Sequence, residues 1–408
     1  MSKIKLVEIA DSIFDGKHGD CESQPGSGLY FISVKDLKEY DIDYSNAREI
    51  TPNDFEQNYT RTSLDNGDTI YANTGDTIGK SLFVKDNPLV YKTSFQKSVA
   101  VVKPNIEFVE PRYLYYLLKY ETPRLRQAAT GSGQKNLLLS TMRDFEVTIH
   151  DRNLQKNIIS VLGLLDDKIR INIKINDTLY QMAKTLYDYW FVQFDFPDEN
   201  GKPYRTSGGE MVWNEQLKRE IPKGWKYGKL CDIANITMGQ SPAGESYNDA
   251  GDGLIFYQGR TDFGLRFPTP RMYTTAPTRF AQKGDILLSV RAPVGDLNFA
   301  MEDCCIGRGL AALNSRLGSQ MHLFYTLAGF QQIFKVMDGN GTTFGSITKD
   351  TLFDMGVVIP PDEVLKCFEK QVKPIESKIE KCEEEIRELT KLRDWLLPML
   401  MNGQARVE

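Results

Sequence analysis

Two glycine-rich stretches concentrate the side chains that could recognise a polar ligand. Thr130-Gly131-Ser132-Gly133-Gln134-Lys135-Asn136 and Gly339-Asn340-Gly341-Thr342-Thr343-Phe344-Gly345-Ser346 set amides, hydroxyls and a lysine on glycine-flanked tips. Such groups match the edges of base pairs: Asn and Gln pair with adenine, Arg and Lys with guanine, and Ser and Thr with either or with phosphate. The expected DNA contacts are therefore Ser132, Gln134, Lys135 and Asn136 in the first stretch and Asn340, Thr342, Thr343 and Ser346 in the second. Gln258, Arg260, Arg291 and Arg308 are their polar and basic neighbours in the second half. Mobile surface loops without a ligand are the plainer alternative, weakened by recurrence at the same place in both halves.

Catalytic chemistry has no comparable signature. Gly75-Asp76-Thr77-Ile78-Gly79-Lys80-Ser81 is one residue short of a phosphate-binding loop, and Leu82-Phe83-Val84 reads as a strand where such a loop would open a helix. No Gly-x-Ser-x-Gly elbow, His-Glu-x-x-His or EF-hand loop occurs, nor the Asn/Asp-Pro-Pro-Tyr/Phe quartet of amino-methyltransferases. Asp198-Glu199 and Asp362-Glu363 sit beside Pro197 and Pro361 without the trailing Glu-x-Lys of a nuclease, and read as solvated turns. Six cysteines are scattered and never spaced Cys-x-x-Cys, and only three histidines accompany them, so no metal site is expected and the thiols read as reduced. The expectation is a chain with neither catalytic residues nor a cofactor of its own.

The elements that must position the loops are written twice. Lys5-Leu6-Val7-Glu8-Ile9-Ala10 is matched by Lys229-Leu230-Cys231-Asp232-Ile233-Ala234, and Asn66-Gly67-Asp68-Thr69-Ile70 by Lys283-Gly284-Asp285-Ile286-Leu287. A second Gly-Asp follows in each half, at Gly75-Asp76 and Gly295-Asp296. After each glycine-rich loop comes a closing strand, Phe145–Ile149 and Met355–Ile359. Each weak match gains weight from the shared order.

Each half ends in a heptad helix. One seam runs Ile158, Leu162, Leu165, Ile169, Asn172, Asn176, Leu179, Ala183, Leu186, Trp190; the other runs Phe368, Val372, Ile375, Ile379, Cys382, Ile386, Leu389, Arg393, Leu396, Leu400. Spacings of four and three alternate throughout, which marks coiled-coil helices over about Leu154–Trp190 and Val364–Leu397. Seam polar residues such as Asn172 and Asn176 fix register, and their partners on the other helix read as apolar or cysteine. The shared frame also implies that the first helix could pair with a second copy of itself. Tyr187-Asp188-Tyr189-Trp190-Phe191 is too apolar to stay wet and should pack on a domain or a partner.

At 408 residues the chain suits two to four domains, and 41% hydrophobic residues supply real cores. A net charge of −5 argues against DNA binding by bulk electrostatics. Distribution can override the sum, and Arg260, Arg266, Arg271, Arg279, Arg291, Arg308 and Arg316 leave room for a local basic face. No apolar run reaches the roughly 18 residues of a membrane span and the start lacks a signal-peptide core, so no membrane association and a cytoplasmic location are expected.

The central stretch Leu164-Leu165-Asp166-Asp167-Lys168-Ile169, through Asn172 and Asn176 to Trp190-Phe191-Val192-Gln193-Phe194, is followed by Phe196–Tyr204, Ser207-Gly208-Gly209 and Ile221-Pro222-Lys223-Gly224-Trp225. This run resembles the central conserved region of the specificity (S) subunits of type I restriction-modification systems. Leu392–Gly403 resembles their distal conserved region. The family's Pro-Pro and Glu-Gln before each helix survive only as Pro360-Pro361; the first half has His150-Asp151 and Leu154-Gln155. The resemblance implies two target-recognition domains, each reading half of a split site in double-stranded DNA, with two antiparallel helices as spacer. It also implies two methyltransferase (M) subunits docked on that spacer and restriction (R) subunits joining later, with S-adenosylmethionine, ATP and magnesium belonging to those partners.

The expected fold is mixed α/β (α+β), a pseudo-two-fold repeat of two strand-rich recognition domains alternating with two long antiparallel coiled-coil helices. The expected boundaries are 1–150 for the first domain, 151–195 for its helix, 196–224 for a linker, 225–361 for the second domain and 362–408 for the distal helix and tail. The spacer rests on Leu162, Leu165, Ile169, Asn172, Asn176 and Leu179 against Val372, Ile375, Ile379, Ile386 and Leu389. Two other functions stay open at this point: a coiled-coil adaptor that binds only proteins, and a self-contained restriction-methylation enzyme.

Overall fold

Period-two alternation in two apolar strands organises each half. In the computed structural model, which describes residues 2–131, 133–334 and 346–405, Thr69–Ala72 and Val99–Pro104 pair antiparallel at the centre of a four-stranded sheet. Tyr71, Ala100 and Val102 face one way, onto the helix Pro111–Ala128 through Tyr113, Leu114 and Leu117. Ile70, Ala72, Val99 and Val101 face the other, onto Ile32, Val34 and Phe95. Successive side chains on a strand point to opposite faces, so a strand covered on both faces must be apolar throughout.

The chain divides into two compact units, Met1–Ile171 with Arg387–Glu408, and Asn172–Ile386. The same sheet recurs in both. Its order is Ala10–Asp15, Val99–Pro104, Thr69–Ala72, Ser81–Phe83 in the first unit, and Ala234–Met238, Leu310–Ser315, Ile286–Ser289, Leu297–Phe299 in the second. Beside it lies a parallel pair, Tyr30–Ile32 with Thr93–Phe95 in one unit and Leu254–Tyr257 with Cys304–Ile306 in the other. An antiparallel pair closes each unit, Ser2–Lys5 on Glu146–Ile149 and Lys226–Lys229 on Gly356–Ile359. The two closing strands read from the sequence each form one strand of these two-stranded pairs.

The near-match to a phosphate-binding loop is a strand connection. Gly75 (φ +67°) opens a single 3-10 turn between Thr69–Ala72 and Ser81–Phe83, and no helix follows. At Gly79 (φ +95°) a Cβ would lie 2.2 Å from Thr122 Cγ2, so the second glycine is there for close packing under the helix.

The first long helix spans Arg152–Tyr187, with one wider π turn at Asp188–Val192, and the second spans Asp362–Met401. Asp151 Oδ1 caps the first by accepting the N–H groups of Asn153 and Leu154, each at 3.1 Å. Asp362 and Glu363 are exposed, as expected, but they form the first turn of the second helix, where carboxylates complement its dipole, and not a loop turn.

In both units the helices run antiparallel, as expected, but the seam is more polar than the heptads suggest. In the first unit Ile158 and Leu162 share a core with Leu397, Leu400 and Met401. One step along, Arg393 bonds Asp166 at 3.1 Å, both almost fully buried, and Tyr116 donates to the same carboxylate at 2.6 Å. In the second unit Asn172 donates to Glu385 (2.8 Å) and Asn176 to Glu383 (2.7 Å). The expectation of apolar or cysteine partners for these asparagines is overturned: the residues flanking Cys382 and Ile386 in sequence turn their carboxylates into the seam. Trp190, Phe191 and Tyr187 ring Phe368 within the same unit, at 5.8, 5.0 and 6.1 Å between centroids. That cluster packs on its own domain.

Candidate nucleic-acid interface

Three backbone segments lie side by side at the end of the first unit's sheet. The turn Gln96-Lys97-Ser98 leads into the central strand, Asn73-Thr74-Gly75 leaves its neighbour, and Lys135-Asn136-Leu137 closes the glycine-rich loop. Asn73 N–H bonds Ser98 O (3.1 Å), Leu137 N–H bonds Asn73 O (2.8 Å) and Gly75 N–H bonds Lys135 O (2.8 Å). Thr74 Oγ1 donates to Asn136 Oδ1 at 3.2 Å.

Thr130 and Asn136 bond each other's backbone at 3.0 and 2.7 Å, pinching the loop shut. Gly131 (φ +128°) permits this, because a Cβ there would sit 2.4 Å from Gln134 O. Gln134, Lys135 and Asn136 are all exposed on this rim, and Ser132 lies outside the described residues.

The second unit repeats the arrangement. Val290 N–H bonds Gly309 O and Ile347 N–H bonds Val290 O, both at 2.9 Å, while Arg291 bridges to Ser346. Gly307 N–H bonds Tyr257 O (2.8 Å), which sets Gln258 alongside the Gly307-Arg308-Gly309 turn. Thus Gln258, Arg291, Arg308 and Ser346, distant in sequence, share one exposed rim. Asn340, Thr342 and Thr343 lie outside the described residues.

The broad basic face resolves into fewer free charges than the composition allowed. Arg266 is buried: it pairs with Glu376, and its guanidinium stacks on Phe324 at 3.9 Å. Arg271 pairs with Asp262 (2.5 Å), Arg316 bonds Asn235 (2.7 Å) and Cys231 O (2.8 Å), and Arg260 pairs with Asp296 while remaining half exposed. Among the described residues, Arg279, Arg291 and Arg308 keep uncommitted guanidinium groups. An arginine without a protein anion on an ordered rim can donate two parallel hydrogen bonds to guanine or to phosphate.

The 96–98 turn escaped the sequence analysis. Its only signal is Gln-Lys-Ser between Phe95 and the apolar run that begins at Val99, with no glycine to mark it. Among the described residues no cluster of His, Cys, Asp or Glu could hold a metal, no helix is long and apolar enough to cross a membrane, and all six cysteines are unbridged.

Two strongly shifted titratable groups serve the fold. Burial pushes the Asp167 carboxyl up, but hydrogen bonds from Arg112 and Lys85 outweigh it and hold the group at about 2. Burial alone pushes the His322 imidazole down to about 3. Asp167 stands on the first long helix and His322 on the helix Gln320–Gly329, which backs the second sheet.

Residues 21–181 and 222–390 each match the model of the type I restriction modification DNA specificity domain. The type I restriction enzyme MjaIX specificity subunit of Methanocaldococcus jannaschii is 27% identical over 401 residues, 94% of this chain and 88% of that protein. The HindI specificity subunit of Haemophilus influenzae is 24% identical over 407 residues, 84% of this chain and 88% of that one. The crystal structure of the type I restriction-modification system S subunit from M. genitalium, 16% identical, covers 98% of this chain and 95% of its own with a TM-score of 0.54, so the fold is shared. Two matched segments, one in each copy of the repeated sheet, show that the chain belongs to the type I restriction-modification DNA specificity family.

Proposed function

We propose that this chain is the sequence-reading subunit of a type I restriction-modification complex, with each rim reading one half of a gapped duplex target. The observation that carries this is the double construction of the rim: different side chains on the same three-segment backbone. A repeated scaffold with divergent side chains suits a target with two unlike halves. On this proposal two methyltransferase subunits dock on the long helices and restriction subunits complete the complex. S-adenosylmethionine, ATP and magnesium belong to those subunits, and the chain itself performs no chemistry in the cytoplasm where it works.

The test is binding and methylation in the presence of the methyltransferase partner. Affinity for duplex DNA should fall steeply with salt, with a log–log slope near −0.9 per neutralised phosphate. Sequencing of modified bases in cells carrying the pair should return a two-part motif separated by a gap. Salt-independent association with the partner and no association with DNA would instead mark a protein-only adaptor.

A further inference from the structure

Four backbone hydrogen bonds at and beside the Gln96-Lys97-Ser98 turn have counterparts around Gly307-Arg308-Gly309, while the middle N–H differs, Lys97 donating to Lys17 O (3.1 Å) and Arg308 to Ser241 Oγ (3.4 Å). Gly16 N–H to Val99 O (3.2 Å) corresponds to Gly239 N–H to Leu310 O (2.9 Å), and Lys17 N–H to Phe95 O (2.8 Å) to Gln240 N–H to Ile306 O (3.0 Å). Gln96 N–H to Ile32 O (3.0 Å) corresponds to Gly307 N–H to Tyr257 O (2.8 Å), and Asn73 N–H to Ser98 O (3.1 Å) to Val290 N–H to Gly309 O (2.9 Å). So dense a backbone network sets the position of the middle residue whatever its side chain. Lys97 therefore occupies in the first unit the place Arg308 occupies in the second.

Charge is consistent with this placement: Lys97 and Lys135 are the two exposed lysines of the first rim whose ammonium groups have no partner among the described residues. Most cations in the first unit are committed: Lys17 to Asp54 (2.7 Å), Lys103 to Asp65 and Asp68 (2.7 Å each), Arg112 to Asp167 (2.8 Å), Arg126 to Ile78 O (2.6 Å) and Lys80 to Val34 O (3.2 Å). The exposed Lys97 side chain has neither a hydrogen bond nor an ion pair among the described residues, and Arg308 likewise keeps its guanidinium free. An ordinary solvated lysine would account for one of these, but not for a free cation at the equivalent point of two otherwise divergent rims. Elsewhere on the rims the side chains differ: Thr74 stands against Arg291 and Asn136 against Ser346.

We propose that Lys97 is a specificity-determining DNA contact of the first unit, donating to acceptor atoms on a guanine edge of the half-site that unit reads. This rests on the DNA-reading function proposed above. Lys and Arg are the residues that pair with guanine O6 and N7 in the major groove.

The full chain with its methyltransferase partner provides the test. Lys97→Ala should relax the methylated motif at one half-site, with discrimination there down about tenfold. Arg308→Ala should relax only the other, and Lys97→Arg should retain most discrimination. Because the Lys97 side chain has no partner among the described residues, its variants should unfold at the wild-type temperature.

An unchanged motif overturns the proposal. So does uniformly weaker binding with the salt slope reduced by about one and the motif intact, which marks a phosphate contact. Relaxation of the same half-site by both Lys97→Ala and Arg308→Ala overturns it as well. A wild-type chain that directs no methylation at all would instead sink the DNA-reading function itself, a result distinguishable from failure of Lys97 alone.

Discussion

Two buried carboxylates show how single residues adapt one scaffold to two halves. Asp166 and Glu376 stand 210 positions apart, one on each long helix, and each accepts from a tyrosine on the helix that backs the sheet, Tyr116 (2.6 Å) and Tyr325 (2.7 Å). Their guanidinium partners differ in origin. Asp166 takes Arg393 from the other long helix, whereas Glu376 takes Arg266 from the loop before Phe267. Removing one member of a buried pair strands the other charge, so Arg393→Met should cost about 3–5 kcal/mol in urea unfolding. Replacing both, Asp166→Leu with Arg393→Met, should cost much less. Arg393 also donates to Glu39 (2.9 Å) and to Tyr40, and equal losses would mean that these and Tyr116, not the charge pair, carry the stability.

His322 gives the residue scale a pH signature. Its imidazole titrates near 3 when folded against 6.5 for the free side chain, so the unfolded chain binds the extra proton between those values. Its contribution is therefore intact above about pH 6.5 and is lost as pH falls toward 3, at roughly 1.4 kcal/mol per pH unit. From pH 6.5 to 5 the wild type should lose about 2 kcal/mol more than His322→Gln. Parallel losses in the two proteins would place the acid sensitivity elsewhere.

At the scale of elements, the long helices combine an ordinary heptad frame with polar seam pairs. Asn176 Nδ2 lies 2.7 Å from Glu383 and Asn172 Nδ2 lies 2.8 Å from Glu385. An apolar replacement at an apolar seam would stabilise, yet here Asn176→Ile deprives a buried carboxylate of an amide donor. The expected result is a loss of about 1–3 kcal/mol, and a gain on thermal unfolding would restore the simpler apolar seam. Each helix also contributes residues to both units. One heptad inserted in each preserves the frame and adds about 10 Å of helix, or about three base pairs at 3.4 Å per pair. The gap in the methylated motif should widen by that amount with both half-sites unchanged. A fixed gap would remove the helices from the role of ruler.

For the whole molecule, the polar pairs bear on whether like halves can replace unlike ones. Subtracting the repeat of 210 positions puts Ala183 where Arg393 stands, Ile173 where Glu383 stands and Ile175 where Glu385 stands. Two copies of the first helix would thus leave Asp166 without a cation and face Asn172 and Asn176 with isoleucines. The duplicated heptads alone favour self-pairing; the partners observed in each unit oppose it. A fragment ending near Gly201 should therefore remain monomeric on sedimentation and associate with a fragment carrying the second half. Tight dimerisation of the first fragment alone would show that the apolar seam outweighs these pairs.

The sequence by itself determined the duplication, the heptad helices, the closing strands and the loop that merely resembles a phosphate site. Those features are local or periodic: a glycine spacing one residue short of a phosphate loop, a 4-3 apolar spacing, an order of motifs repeated at a fixed interval. The sequence also pointed to Arg291, Arg308, Lys135 and Asn136 as side chains of suitable chemistry, and the family resemblance to a reader of split DNA sites. Tertiary structure alone decided which of these share a rim, because Ser98, Asn73 and Leu137 meet through backbone bonds between segments far apart in the chain. It alone removed Arg266 from the surface and turned Glu383 and Glu385 into the seam. Charge in a sequence is a sum over residues, but whether a given arginine or glutamate is free depends on which anion or amide the fold brings within about 3 Å of it.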